Sequence, residues 1–173
     1  MSTQTQDLLS DALPGEVTVA DDAVRVVFHR RYNKPIRKVW AALTTPERLA
    51  DWFAMADIEM RVGGAVRLDW QGHNSMEGRV VTLDPPRAFA WTWTIGGRET
   101  LVRFDLKADG EACELTLTHS GLNPRPGMGP GVRASWHAHL EALPDALEGR
   151  ATSWATTTAR RDAAQRFYPD LPA

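Results

Sequence analysis

The spacing of turn signals between residues 57 and 121 constrains this chain more than any other feature. Gly63-Gly64, Gly72-His73-Asn74, Asp84-Pro85-Pro86, Gly96-Gly97 and Asp109-Gly110 cut the segment into short runs in which apolar and polar residues alternate. A period of two sends successive side chains to opposite faces of a strand. Val66, Leu68 and Trp70 therefore share a side, as do Phe89, Trp91 and Trp93. Val102, Phe104 and Leu106 form a third such set, and Leu115, Leu117 and His119 a fourth. The short gaps are those of hairpins, so the pattern predicts a meander of about six antiparallel strands. One face is apolar; the other carries threonine and charge.

An apolar sheet face needs a cover, and the sequence offers one. Val132, Trp136, Leu140 and Leu143 mark one stripe of a helix over 131–148, with Ala134, Ala138 and Ala142 as strong helix formers. At ~1.5 Å per residue this rod is roughly 27 Å long, the length of an eight-residue strand. Pro144 should kink it, because it removes an amide donor and crowds a carbonyl one turn back. Ahead of the meander, Val24–Arg31 reads as a strand that ends at Asn33-Lys34-Pro35. Ile36, Val39, Trp40 and Leu43 then follow helical spacing. A second short helix begins with Thr45 as its cap and Pro46 in its first turn, and Leu49, Trp52 and Phe53 form its apolar side. Residues 1–20 read as a loose leader, 21–149 as the folded domain, with 121–130 flexible, and 150–173 as an alanine- and arginine-rich extension compatible with a surface helix.

Charge and motifs narrow the function. The net charge of −2 gives no global field for nucleic acid or an anionic membrane. No apolar run is long enough to span a bilayer, and the N-terminus has neither a basic start nor an apolar signal core. A cytoplasmic protein is expected, with no nucleic-acid or membrane partner. The single cysteine, Cys113, falls within an apolar alternation and reads as a buried structural thiol. His137 and His139 diverge by about 200° on a helix, and His137 with Glu141 supplies only two ligands, so neither a metal nor another cofactor is expected. Gly129–Ala134 superficially matches a dinucleotide fingerprint but follows a loop, outside any βαβ unit. Asp57 with Glu59, and Asp69 with Glu77, read as solvated strand positions. The basic residues Arg30, Arg31, Lys34, Arg37 and Lys38 read as a solvated face, with an acidic protein partner as the alternative.

The segments KPIRKVWAALTTPERLADWF (34–53), GGAVRLDW (63–70), EGRVVTLDPPRAFAWTW (77–93), CELTLTHSGL (113–122) and SWHAHLEAL (135–143) resemble one known family. It is the branch of the START-like (SRPBCC) superfamily named after the C-terminal domain of the activator of Hsp90 ATPase. The resemblance covers residues 24–149. It implies an α+β helix-grip fold, in which a curved antiparallel sheet wraps around a long C-terminal helix and two short helices follow the first strand. It also implies a cavity between sheet and helix, which in related families holds lipids, sterols, polyketides or other apolar ligands. Co-chaperones of that branch carry an additional N-terminal domain; the leader here is short, so a chaperone partner is not expected.

Seven tryptophans against two tyrosines give the interior its character. The registers turn Trp70, Trp91, Trp93 and Trp136 toward one interior, where they either fill a solid core or line a cavity. Indoles with free faces would stack on an aromatic guest and offer N–H donors. Trp70, Trp91, Trp93, Phe104, His119, Trp136 and Leu140 are accordingly the candidate ligand-binding residues. The first functional expectation is binding of a small apolar or aromatic molecule. An enzyme of the polyketide cyclase/aromatase type is the alternative, with His119 as candidate acid or base and Glu77 or Arg103 as polar helpers. Modulation of a chaperone ATPase is the third. The sequence leaves catalysis and a homodimer open.

Overall fold

Strong alternation becomes paired strands wherever a turn lets the chain reverse, and the computed structural model of the chain, which describes residues 9–10, 12–124 and 128–169, shows eight strands among those residues. They are β1 (Glu16–Ala20), β2 (Ala23–Tyr32), β3 (Met55–Ile58), β4 (Ala65–Asp69), β5 (Ser75–Asp84), β6 (Ala88–Ile95), β7 (Arg98–Asp109) and β8 (Ala112–Leu122). The sheet order is β1-β2-β8-β7-β6-β5-β4-β3, and every pairing is antiparallel. The six strands from β3 to β8 are the expected meander. Only the β2–β8 pairing joins strands distant in sequence. The fold is α+β, a curved antiparallel sheet around a C-terminal helix.

Curvature has a local cause in β5. Its first half pairs with β4, its second half pairs with β6, and the β6 register shifts between Val80 and Thr82. Gly78 marks the handover: a Cβ there would lie 1.9 Å from the carbonyl oxygen of Thr92, so only glycine allows this approach.

The described residues form four α-helices, α1 (Ile36–Thr44), α2 (Pro46–Trp52), α3 (Met128–Leu147) and α4 (Trp154–Ala164), the last running into a 3-10 turn at Gln165–Phe167. Pro46 opens α2 as expected, but the Thr45 side chain makes no capping bond. Instead the Thr45 carbonyl accepts from the amides of Arg48 and Leu49, and the Trp52 indole donates to Ala42 O at 2.8 Å, tying α2 to α1. The segment expected to be flexible is divided: Gly121 and Leu122 close β8, Met128 opens α3, and residues 125–127 lie outside the described residues.

The two segments that flank the central domain both contribute to the fold. Glu16–Ala20, which the sequence reading placed in the leader, forms the edge strand β1 on β2; residues 1–8 of that leader lie outside the described residues. The extension supplies α4, capped by Ser153 Oγ, which accepts from Thr156 N at 3.1 Å. Its far end is anchored by buried Tyr168. The Tyr168 hydroxyl accepts from Gly15 N at 2.9 Å and donates to His137 Nδ1 at 2.7 Å. His137 Nε2 then faces Glu141 Oε1 at 3.5 Å, and Glu141 accepts from both the amide and the hydroxyl of Ser10. Burial alone would raise the Glu141 pKa, but these hydrogen bonds hold it below the usual carboxylate range. Both ends of the described chain are thus fastened to α3.

Arg30, read as part of a solvated basic face, instead lies over the Phe28 ring at 5.5 Å and donates to Leu13 O at 2.9 Å. Cys113 is buried, which pushes its thiol pKa up. Arg31 pairs with Asp109, and Lys34 pairs with Glu148 at 2.6 Å. Asp57 and Glu77 both reach Arg67 on the exposed face.

Candidate functional site

The side of the sheet that faces α3 is packed at one end and hollow at the other. Where the second half of α3 lies, Phe89, Trp91, Phe104, Leu115, Leu117, Leu140 and Leu143 belong to one buried cluster. Trp91 and Phe104 tilt against each other at 5.4 Å. Where the first half of α3 lies, a cleft of about 570 Å³ opens to solvent. Phe53, Trp70, Trp93 and Trp136 give it an aromatic lining. Ser135 and His139 of α3, Arg161 of α4 and Gln165 add polar groups. Trp154 and His73 stack at 5.0 Å and 10°, linking α4 to the β4–β5 turn at the cleft.

That turn is built for the purpose. Asp69 Oδ1 accepts from Gly72 N at 2.7 Å, Gly72 takes φ of 78°, and the Trp70 amide donates to Asn74 O. The left-handed geometry at Gly72, open to glycine at little cost, reverses the chain and brings His73 to Trp154.

Three of the candidate residues, Trp70, Trp93 and Trp136, line the cleft. The expectation that the indoles keep free faces does not hold for Trp93. It stacks with Trp70 at 5.4 Å on the β4 side and with His119 at 5.3 Å on the β8 side. Trp136 meets Trp93 edge-on at 80° and stacks on Phe53 at 5.1 Å. The wall thus offers the cleft ring edges more than sandwiching faces, because neighbouring aromatics satisfy one another first.

Trp91, Phe104 and Leu140 do not line the cleft; they fill the packed end. Nor does His119 line it. His119 is 1% exposed, and both ring nitrogens are committed. The Trp136 indole donates to Nδ1 at 3.0 Å, so the ring proton resides on Nε2 and is donated to Thr100 Oγ1 at 2.7 Å. The Thr100 hydroxyl in turn donates to Trp93 O at 2.6 Å. Burial pushes the His119 pKa down to about 3. A neutral ring with no spare nitrogen is a structural strut, which corrects its candidacy as acid or base. Glu77 and Arg103 are also away from the cleft: Glu77 pairs with Arg67, and Arg103 with Asp105 at 2.9 Å.

His139 is the buried titratable ring among the cleft residues, beside the exposed His73. It is 7% exposed, and its Nδ1–H donates to the Trp52 carbonyl at 3.2 Å, which leaves Nε2 as an acceptor. Burial, with the nearby Arg161 charge, lowers its pKa to about 4. His139 follows Trp136 by three residues, so it shares that helical face; this spacing could have found it. Phe53 was visible as the apolar end of the second helix. Arg161 and Gln165 had no comparable signal. No group of residues able to hold a metal ion occurs among the described residues, and no helix among them is long and apolar enough to cross a membrane.

A curved antiparallel sheet gripping a C-terminal helix, with a cleft left between them, defines the helix-grip, START-like class. Within it, the chain belongs to the family described as activator of Hsp90 ATPase homolog 1-like protein, whose model matches residues 33–148. Solved structures agree. The chain is similar to CalU16 from Micromonospora echinospora, at 25% identity over 90% of this chain and 92% of that one, with a TM-score of 0.66. It is similar to DynU16, a protein of the dynemicin biosynthetic locus, at 29% identity over 76% of this chain and 49% of that one, with a TM-score of 0.65. The Aha1 dimer from Colwellia psychrerythraea shares the fold, at 23% identity over 72% of this chain and 96% of that one, with a TM-score of 0.61. No curated protein matches the chain in sequence.

Proposed function

We propose that this protein binds a small aromatic or otherwise apolar molecule in the cleft between β4, β6 and the first half of α3. The cleft itself carries the reading. Its volume of about 570 Å³ suits a drug-sized guest, and a mostly aromatic lining with a few convergent polar groups is the usual make-up of such sites. The likeness to DynU16, a protein of a biosynthetic locus, favours a small molecule over a protein partner. The cyclase-type alternative depended on His119, Glu77 and Arg103. None of these lines the cleft, so binding is the function the geometry supports best.

The test is titration with N-phenyl-1-naphthylamine, a neutral dye that brightens in apolar surroundings. Saturable binding to the protein, reduced at least about tenfold by Trp93→Ala, supports the reading. A dye that ignores the protein, or binds the variant equally well, overturns it.

A further inference from the structure

We propose that the guest is an aromatic acid, its ring against the edges of Trp93 and Trp136 and its carboxylate paired with Arg161. This rests on the cleft being a binding site and goes on to name the ligand class.

The cleft is chemically lopsided. Phe53, Trp70, Trp93 and Trp136 supply its aromatic lining, and Ser135, His139, Arg161 and Gln165 its polar groups, of which Arg161 and Gln165 lie at the α4 end of the chain. Among the described lining residues there is no aspartate or glutamate, and Arg161 is their only standing charge. Its partners within the protein are few. Nη2 lies 3.4 Å from Asp162, an exposed neighbour in sequence, and Nε is buried with no hydrogen-bond partner among the described residues. An unpaired guanidinium N–H in a water-poor place is a strong donor awaiting an anion, and carboxylates match its planar fork.

The remaining groups agree on the same kind of guest. His139 is neutral near pH 7, so it neither repels nor competes with Arg161, and its free Nε2 accepts from a hydroxyl. Ser135 and Gln165 each bring a donor. Among the aromatic residues, Trp93 presents an edge because Trp70 and His119 occupy its faces. Ring edges carry the positive part of the aromatic quadrupole and favour the electron-rich face of another ring. A flat ring with a charged oxygen at one end satisfies both the indole edges and Arg161; a plain hydrocarbon satisfies only the indoles.

The experiment compares 2-naphthoate with the neutral, isosteric 2-naphthamide by calorimetry at pH 7.5 and low ionic strength. For the unmodified protein, naphthoate should bind at least about tenfold tighter. Arg161→Gln should bring the two ligands within about twofold by weakening naphthoate alone, and Arg161→Lys should restore part of the preference. Equal affinities in the unmodified protein, together with Trp93-sensitive dye binding, overturn the acid assignment and leave the binding reading standing. If neither naphthalene nor the dye binds, the binding reading fails and this inference falls with it. The comparison in the unmodified protein stands even if both Arg161 variants fold poorly.

Discussion

At its C-terminal half α3 lies on a filled wall; at its N-terminal half the same helix, over the same sheet, leaves a cleft. The strands beneath both halves alternate in the same way. What differs is where the aromatic bulk goes. At the filled end Trp91, Phe104 and Phe89 tilt against one another with aliphatic side chains around them. At the hollow end Trp70, Trp93 and His119 line up in a row, and Thr100 and Trp136 lock His119 in place. The row is held by its own stacking and by one contact from α3, the Trp136 indole on His119, so the helix braces the wall there without closing the gap. Cavities persist in proteins when their walls are held in place, and here stacking and hydrogen bonds hold the wall.

Four measurements would break or sharpen this contrast. The largest effect is expected at the filled end: Phe104→Ala should cost about 3–5 kcal/mol in urea denaturation while leaving dye affinity in the folded fraction within about twofold. Loss of dye binding there would mean that the two ends are not independent.

The second measurement uses pH. His119 and His139 have folded pKa values of about 3 and about 4, against an ordinary 6.5. Between those values the unfolded chain binds protons that the folded one refuses, so stability is full above pH 6.5 and falls on acidification. From pH 7 to pH 5 each ring should cost roughly 1–2 kcal/mol, and His139→Gln should remove about half of that slope. A flat profile would contradict the buried, neutral state of both rings.

A smaller effect should follow Thr100→Val. It removes the acceptor for His119 Nε2–H and should cost about 1–2 kcal/mol, with a broadened cleft read as weaker dye binding. The smallest is expected for His73→Ala, since His73 is exposed. Losing its stack on Trp154 should cost about 0.5–1 kcal/mol, with faster amide exchange confined to α4 and the 70–74 turn.

Much of the filled end was legible in the sequence, and less of the hollow one. Period two assigns the inward face of β4, β6, β7 and β8, and the helical stripe from Val132 to Leu143 assigns the cover. Neither pattern says how far the cover stands from the sheet, so Trp91 and Trp93, two residues apart on one strand, read alike and end up in different surroundings. His119 read as a candidate acid or base because its two partners, Thr100 and Trp136, come from distant parts of the chain. β1 escaped notice because an edge strand whose side chains are mostly exposed needs no apolar alternation; its trace was Asp21, which takes φ of 53° in the turn to β2. The extension was legible as compatible with a surface helix, but not its place at the cleft, because a helix there needs only one or two apolar anchors. Ser153 before Trp154 was the sole start signal, and the link from Tyr168 to His137 could not be read from either residue alone.

The stretch that carries the family signature stops at residue 148, six positions before α4 begins at Trp154. The indole side of the hollow therefore belongs to the common scaffold, whereas the guanidinium and the amide of Arg161 and Gln165 ride on an appendage. An appendage held by a few anchors is open to revision: exchanging Arg161 retunes selectivity, and nothing in the sheet has to be relearned for the chain to fold.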